Sequence, residues 1–252
     1  MVDKHGLLTQ PISDVLRKLT TPMVFGMVAI LLFNLVDTFF ISLLGTDALA
    51  AVSFTFPVTF AVNCITMGIG VGLSASIGRL LGQGNSKHAA QLTTHGLILA
   101  VILILIACSI GFFTIDPLFQ LLGAEDKLLP LIHEYMSIWY ITIPLLVIPM
   151  SSNSAIRATG DTTTPAKIMM LAGLINGLLD PLLIFGYGPV PELGIRGAAI
   201  ASGISWFGAL CASFYMLTRK VKLLAPPKPS EIKQDWHQIL KIGSPAALSN
   251  AL

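Results

Sequence analysis

Six apolar runs, each near the length a helix needs to cross a hydrocarbon core, make lipid the solvent for most of this chain. They fall at residues 21–44, 51–77, 92–115, 131–150, 167–187 and 195–217. The second is long enough to need tilting. The fourth to sixth contain Pro, Gly and polar residues, which a span tolerates where it faces protein. Charged residues make up 11% of the 252, against about 25% in soluble domains, and they crowd between the apolar runs. An ordinary soluble domain is thereby excluded, and a net charge of +2 gives no argument for nucleic acid. Cys64, Cys108 and Cys211 all sit inside apolar runs, away from any metal-ligand spacing, and read as small buried hydrophobes. The first 20 residues carry Asp3, Lys4, Asp14, Arg17 and Lys18, and the run that follows is too long for a secretory core, so no cleaved signal peptide is expected.

Lys and Arg set the orientation, because short basic loops stay on the cytoplasmic side. The N-terminus, the loop 78–91, the segment 151–167 and the tail 218–241 hold 13 of the 15. The opposite side keeps only Lys127 and Arg196. This split predicts a multi-pass protein of the cell (inner) membrane with its N-terminus in the cytoplasm and its odd-numbered spans running outward.

Beyond the sixth span, Pro226, Pro227 and Pro229 stand among basic residues, so 218–238 is expected to be a semi-rigid cytoplasmic linker. Lys241-Ile242-Gly243-Ser244-Pro245 then echoes Lys18-Leu19-Thr20-Thr21-Pro22. Both stretches place a proline at the start of an apolar run after a basic segment, as parallel repeats in transporters do. The expected organisation is a six-helix lobe over 1–217, the linker, and the start of a seventh helix over 239–252, with a second lobe missing.

Of the thirteen acidic residues, only Asp37 and Asp180 lie well inside spans. A carboxylate near mid-membrane costs about 2.5 to 3.5 kcal/mol even on the lenient insertion scale. Neither span carries a Lys or Arg away from its ends to offset it. At 1.5 Å per residue both carboxylates sit about 5 to 7 Å outward of their helix centres, at one depth. Each has an amide one turn earlier on the same face, Asn34 at i−3 and Asn176 at i−4. An amide can donate to a carboxylate or accept from the acid, so it suits both protonation states. Pro181 removes a backbone hydrogen bond directly after Asp180. Tyr135, Ser202 and Ser205 lie at about the same depth, Tyr135 with an alternative as an interfacial aromatic and the serines as close-packing residues. Gly68, Gly70 and Gly72 read as close helix packing in a lipid span.

These residues resemble multidrug and toxic compound extrusion (MATE) transporters, of the larger multidrug/oligosaccharidyl-lipid/polysaccharide exporter group. The likeness rests on Ala155-Ile156-Arg157-Ala158-Thr159-Gly160-Asp161-Thr162-Thr163-Thr164-Pro165, on Leu174 to Pro181, on Leu193 to Ala201, on Asn34 to Ile41 and on Gly78 to Asn85. Asp37 on the first span is similar to the DinF-like branch. The resemblance implies an all-α membrane fold, a six-transmembrane-helix bundle forming the N-terminal lobe of a twelve-helix, two-lobe transporter. It also implies Asp37, Asn176 and Asp180 as proton-coupling positions and Pro22 as a helix-bending one. A threonine that the family places on helix six corresponds here to Ala198.

The expected function is therefore not enzymatic. It is proton-coupled export of cationic or amphipathic organic compounds by alternating access. Asp37 and Asp180 carry the proton, Asn34, Asn176, Tyr135 and Ser202 form the supporting network, and Pro22 and Pro181 bend their helices. The coupling ion is H⁺ with Na⁺ as the alternative, no cofactor or metal is expected, and the partners are the substrate, the bilayer and the missing C-terminal lobe. A lipid-linked oligosaccharide flippase of the same superfamily is the first rival, disfavoured because no Arg or Lys stands inside a span to meet a diphosphate. An intramembrane aspartyl protease is the second. Such enzymes carry Tyr before one aspartate and Gly-x-Gly before the other, whereas Val36 and Leu179 precede these two.

Overall fold

The computed structural model describes residues 11–251; Asp3, Lys4 and Leu252 lie outside them. The described chain is helical with no strand: α1 Ile12–Ser42, α2 Thr46–Gly82, α3 Ser86–Phe113, α4 Ile115–Leu121, α5 Leu129–Thr142, α6 Pro144–Ala158, α7 Thr163–Phe185, α8 Ile195–Tyr215 and α9 Pro229–Ala251. Five of these, α1, α2, α3, α7 and α8, are long and apolar enough to cross a membrane. A sixth span is the pair α5 and α6, which meet at a 46° bend. Pro144 lacks an N–H and opens α6, so the helical ladder cannot run through the joint. The fourth span, expected at 131–150, thus continues to Ala158 and carries Arg157 into the helical bundle. Helices α1 and α7 run unbroken through Pro22 and Pro181.

Small residues set how closely the helices cross. On α2, Gly68 and Gly72 face α9, where an added Cβ at Gly68 would lie 2.6 Å from the Gly243 carbonyl and one at Gly72 would strike that of Ile239. Gly70, half a turn away, faces α6, with Ser154 Oγ 2.6 Å from the same kind of added atom. The three glycines are therefore packing positions, as their spacing predicts. Helix α1 lies on α7, with Gly26 against Ala166, Phe33 against Gly173 and Val36 against Gly177. Its other side is open, with Leu31 68% and Leu35 65% exposed. Between the helices, Ile41, Leu73, Ile77, Phe119, Met136 and Ile156 are fully enclosed. Cys64 and Cys108 are buried as expected, but Cys211 is exposed on the apolar surface of α8.

The connection after α8 departs from the expected linker. Helix α8 runs on through a π-helical segment, Met216–Val221, and stops at Lys222, whose φ of 55° lies in the left-handed region. Residues 222–228 then form no regular element, and α9 begins at Pro229, inside the stretch assigned to the linker. Proline has no amide to lose in a first helical turn, so Pro229 starts a helix instead of preventing one.

This short connection is gripped by α3. Asp235 of α9, 1% exposed, bridges two histidines that lie two turns apart on α3. His95 Nδ1 is 2.6 Å from Asp235 Oδ2 and His88 Nε2 is 3.0 Å from Oδ1. His95 Nε2 accepts from the Lys228 amide at 3.0 Å, which makes Nδ1 the protonated nitrogen of the neutral ring and a donor to the carboxylate. The Trp236 indole donates to the His95 carbonyl at 2.8 Å, and Thr94 Oγ1 donates to the Ala225 carbonyl at 2.8 Å. Replacing Asp235 by Ala would strand two ring N–H groups, at about 1 to 3 kcal/mol for each that stays buried. The expected outcome is faster trypsin cleavage after Lys220 and Lys222 in Asp235→Ala, with Asp235→Asn intermediate. Equal cleavage rates in all three would mean the bridge does not hold the connection.

Candidate functional site

Helix α7 carries the deepest acid. Asp180 and Asn176 are both 0% exposed, and their i, i+4 spacing stacks them one turn apart on the α7 face that meets α8. Asn176 Nδ2 donates to Asp180 Oδ1 at 3.1 Å and to Ser202 Oγ of α8 at 3.3 Å. Asp180 Oδ2 and Asn176 Oδ1 are enclosed and have no hydrogen-bond partner among the described residues. An acceptor and a protonatable oxygen are thus left open in one buried cluster. Asp37 on α1 is half-buried, with Oδ1 enclosed and equally without a partner. No ion pair reaches either carboxylate among the described residues.

The expected site residues separate into those the fold assembles and those it does not. Asp180, Asn176 and Ser202 are joined by hydrogen bonds between α7 and α8, Asp37 stands on α1, which packs along α7, and Tyr135 is buried on α5, which packs on α8. Tyr135 is 8% exposed and therefore belongs to the interior instead of an interfacial belt. Ser205 turns back on its own helix, donating to the Ala201 carbonyl at 2.8 Å. Asn34 is exposed and forms no hydrogen bond to Asp37 among the described residues, so the i−3 pairing expected on α1 is absent. The reason is that Phe33 and Val36 take the side of α1 that packs on α7, which leaves Asn34 on the exposed side of the helix. Ala198, where the resemblance implies a threonine, is buried, and Ser202 one turn later supplies the α8 hydroxyl instead.

A second polar region lies toward the basic end of the bundle. A cleft of about 260 Å³ between α1, α2, α6 and α7 is lined by Thr66, Ser74, Asn153, Ser154 and Arg157 together with Met67, Met150 and Met169. Arg157 Nη2 donates to Ser154 Oγ at 2.7 Å. The expectation that no cation stands inside a span is therefore corrected, because α6 extends past the predicted loop boundary and takes Arg157 with it. Sequence reasoning also missed the His88, Asp235 and His95 cluster, whose one visible sign was two histidines seven residues apart at the start of an apolar helix.

A six-span helical bundle with a buried, uncompensated carboxylate cluster defines a multi-pass membrane protein of the transporter class. The chain belongs to the MATE family of transporters: residues 22–182 match the family model described as MatE. It is 49% identical, over 100% of its length and 56% of the relative's, to a protein named FAD transporter from Shewanella oneidensis. It is 31% identical, over 83% of its length and 46% of the relative's, to the probable multidrug resistance protein YoeA of Bacillus subtilis. Among solved structures, a mutant of the Vibrio cholerae MATE transporter VcmN superposes with a TM-score of 0.89 at 29% identity, covering 95% of this chain and 55% of that one. The chain thus spans about half the length of the relatives it matches, the extent of one lobe in a two-lobe fold.

Proposed function

We propose that this lobe supplies the proton site of a two-lobe exporter of organic molecules that works by alternating access in the inner membrane, with the basic ends of its helices in the cytoplasm. The observation that carries this reading is Asp180, wholly buried, without a cation partner among the described residues, and held by an amide that can serve either protonation state. A carboxylate kept in so costly a place for structure alone would be replaceable by Ser or Asn at lower desolvation cost. Asp37, on the helix packed along α7 and with an enclosed Oδ1 that has no partner among the described residues, is the second proton acceptor. H⁺ is the coupling ion.

Two substrate readings follow from the relatives. The multidrug resistance protein of Bacillus subtilis supports cationic or amphipathic drugs. The FAD transporter of Shewanella oneidensis, 49% identical over the whole chain, favours a flavin dinucleotide. The test is reconstitution of the intact two-lobe protein in proteoliposomes, with an imposed pH gradient and parallel assays of FAD and of a cationic dye. Gradient-driven movement of either, with matching proton flux, is expected; movement insensitive to the gradient would remove proton coupling. Residues 1–252 alone are expected to transport nothing, because alternating access needs a second lobe to rock against. Coupled transport by that piece alone would instead argue for a dimer of six-helix halves.

A further inference from the structure

Arg157 is a motif residue that the proton site leaves without a role. It sits on the last turn of α6, partly buried, and lines the cleft described above. Its partner is the neutral Ser154 hydroxyl, and among the described residues no carboxylate lies within ion-pair distance. The contrast with the other end of the lobe is direct, since Arg196 meets Glu134 at 2.9 Å and Lys127 lies 3.5 Å from Asp47. Those outer cations are exposed and could do without partners; Arg157, partly buried among apolar helices, has more to gain from a counter-charge.

We infer that this cleft receives a phosphate group of the transported molecule, with Arg157 as its charge partner. A guanidinium presents paired N–H donors that match two phosphate oxygens, and it holds its charge where a lysine would lose it on burial. Neutral donors stand beside it. Asn153 is 2% exposed and its Oδ1 accepts from Ser213 Oγ at 3.4 Å, which leaves its amide N–H groups as what it can offer the cleft. Gly70 belongs to the same arrangement, because a Cβ there would lie 2.6 Å from Ser154 Oγ and displace the hydroxyl that orients Arg157. Met67, Met150 and Met169 supply deformable apolar walls for a ring system attached to the phosphate. The cleft lies on the half of the bundle away from Asp37 and Asp180, so an anionic group and the coupling proton are bound at separate depths.

The inference rests on the transport reading above, and its test separates the two. The intact protein in detergent is titrated with FAD, which carries a diphosphate, and with riboflavin, which carries none. Arg157→Gln is expected to weaken FAD binding by about ten- to a hundredfold, the scale of a lost charged hydrogen bond. Riboflavin binding should change little, and Arg157→Lys should also weaken FAD binding, because lysine lacks the paired donors and gives up its charge more readily on burial. Gel filtration and melting temperature of each variant establish that it folds. Unchanged FAD affinity in folded Arg157→Gln overturns the inference, even if Asp180→Asn still abolishes coupled transport. Native mass spectrometry supplies the other arm: loss of a bound phospholipid in Arg157→Gln with FAD affinity intact would put a lipid headgroup in the cleft, and likewise overturns it. Equal losses of FAD and riboflavin would show a general distortion of the cleft and count against the phosphate contact.

Discussion

Asp180→Asn is expected to reduce proton-coupled transport by the intact protein to background while leaving the lobe folded. The amide has nearly the shape of the carboxyl group and can keep the hydrogen bond with Asn176, which now spans 3.1 Å. It also lowers the cost of burial, since a charged aspartate at this depth is penalised by about 2.5 to 3.5 kcal/mol. What it cannot do is take up and release a proton. Asp37→Asn is expected to act in the same direction, because its enclosed Oδ1 also lacks a partner among the described residues and α1 packs along α7. Asp161→Asn is the control. Asp161 Oδ1 accepts from the Thr163 and Thr164 amides at 3.1 and 2.9 Å just ahead of α7, two bonds that asparagine can reproduce, and Oδ2 accepts from Thr164 Oγ1 at 2.6 Å. The measurements are substrate efflux and internal pH in the same proteoliposomes. Wild-type coupling in both Asp37→Asn and Asp180→Asn would make the carboxylates structural and move the coupling site to the other lobe.

What the sequence reveals about this site follows the range of each interaction. The Asp180 and Asn176 pair is a four-residue spacing on one helix, so periodicity alone places it. The same rule fails for Asn34 and Asp37, because spacing puts two side chains on one face but a neighbouring helix decides whether they turn toward each other. The Ser202 contact spans 26 positions in the chain and exists because α7 and α8 cross closely. No local pattern distinguishes Ser202 from Ser205, which satisfies itself on its own backbone. The apolar runs mark the six spans, yet a hydropathy window ends where lipid ends, not where the helix ends. That difference hides both Arg157, carried inward by the last turn of α6, and Asp235, which reads as one more charge in a polar tail. Its burial depends on α9 docking against α2 and α3, a contact no feature of residues 218–238 announces.

Gly197→Ala is the substitution expected to damage the site without touching any polar group. Gly197 lies in the first turn of α8, and a Cβ there would run into the Leu183 carbonyl of α7, with Ile184 N 2.8 Å away. These are backbone atoms already committed, since the Leu193 amide donates to the Leu183 carbonyl at 3.1 Å and the Gly194 amide to that of Ile184 at 3.0 Å. The clash cannot be relieved by a rotamer change, so α8 must shift or the corner between the helices must open. Overpacking of this kind costs about 1 to 3 kcal/mol. Gly78→Ala on α2 is the matched comparison, because an added Cβ there meets nothing within 4 Å. A mid-helix glycine in open space should gain roughly 0.5 to 1 kcal/mol on becoming alanine. The two Gly→Ala changes should therefore move the melting temperature in opposite directions. Because α8 also carries Ser202, only Gly197→Ala should weaken coupled transport as well, reproducing at least the defect of Ser202→Ala. A Gly197→Ala protein with a lowered melting temperature but wild-type coupling would show that the Asn176 to Ser202 contact is dispensable, and that Asp180 and Asn176 suffice on α7 alone.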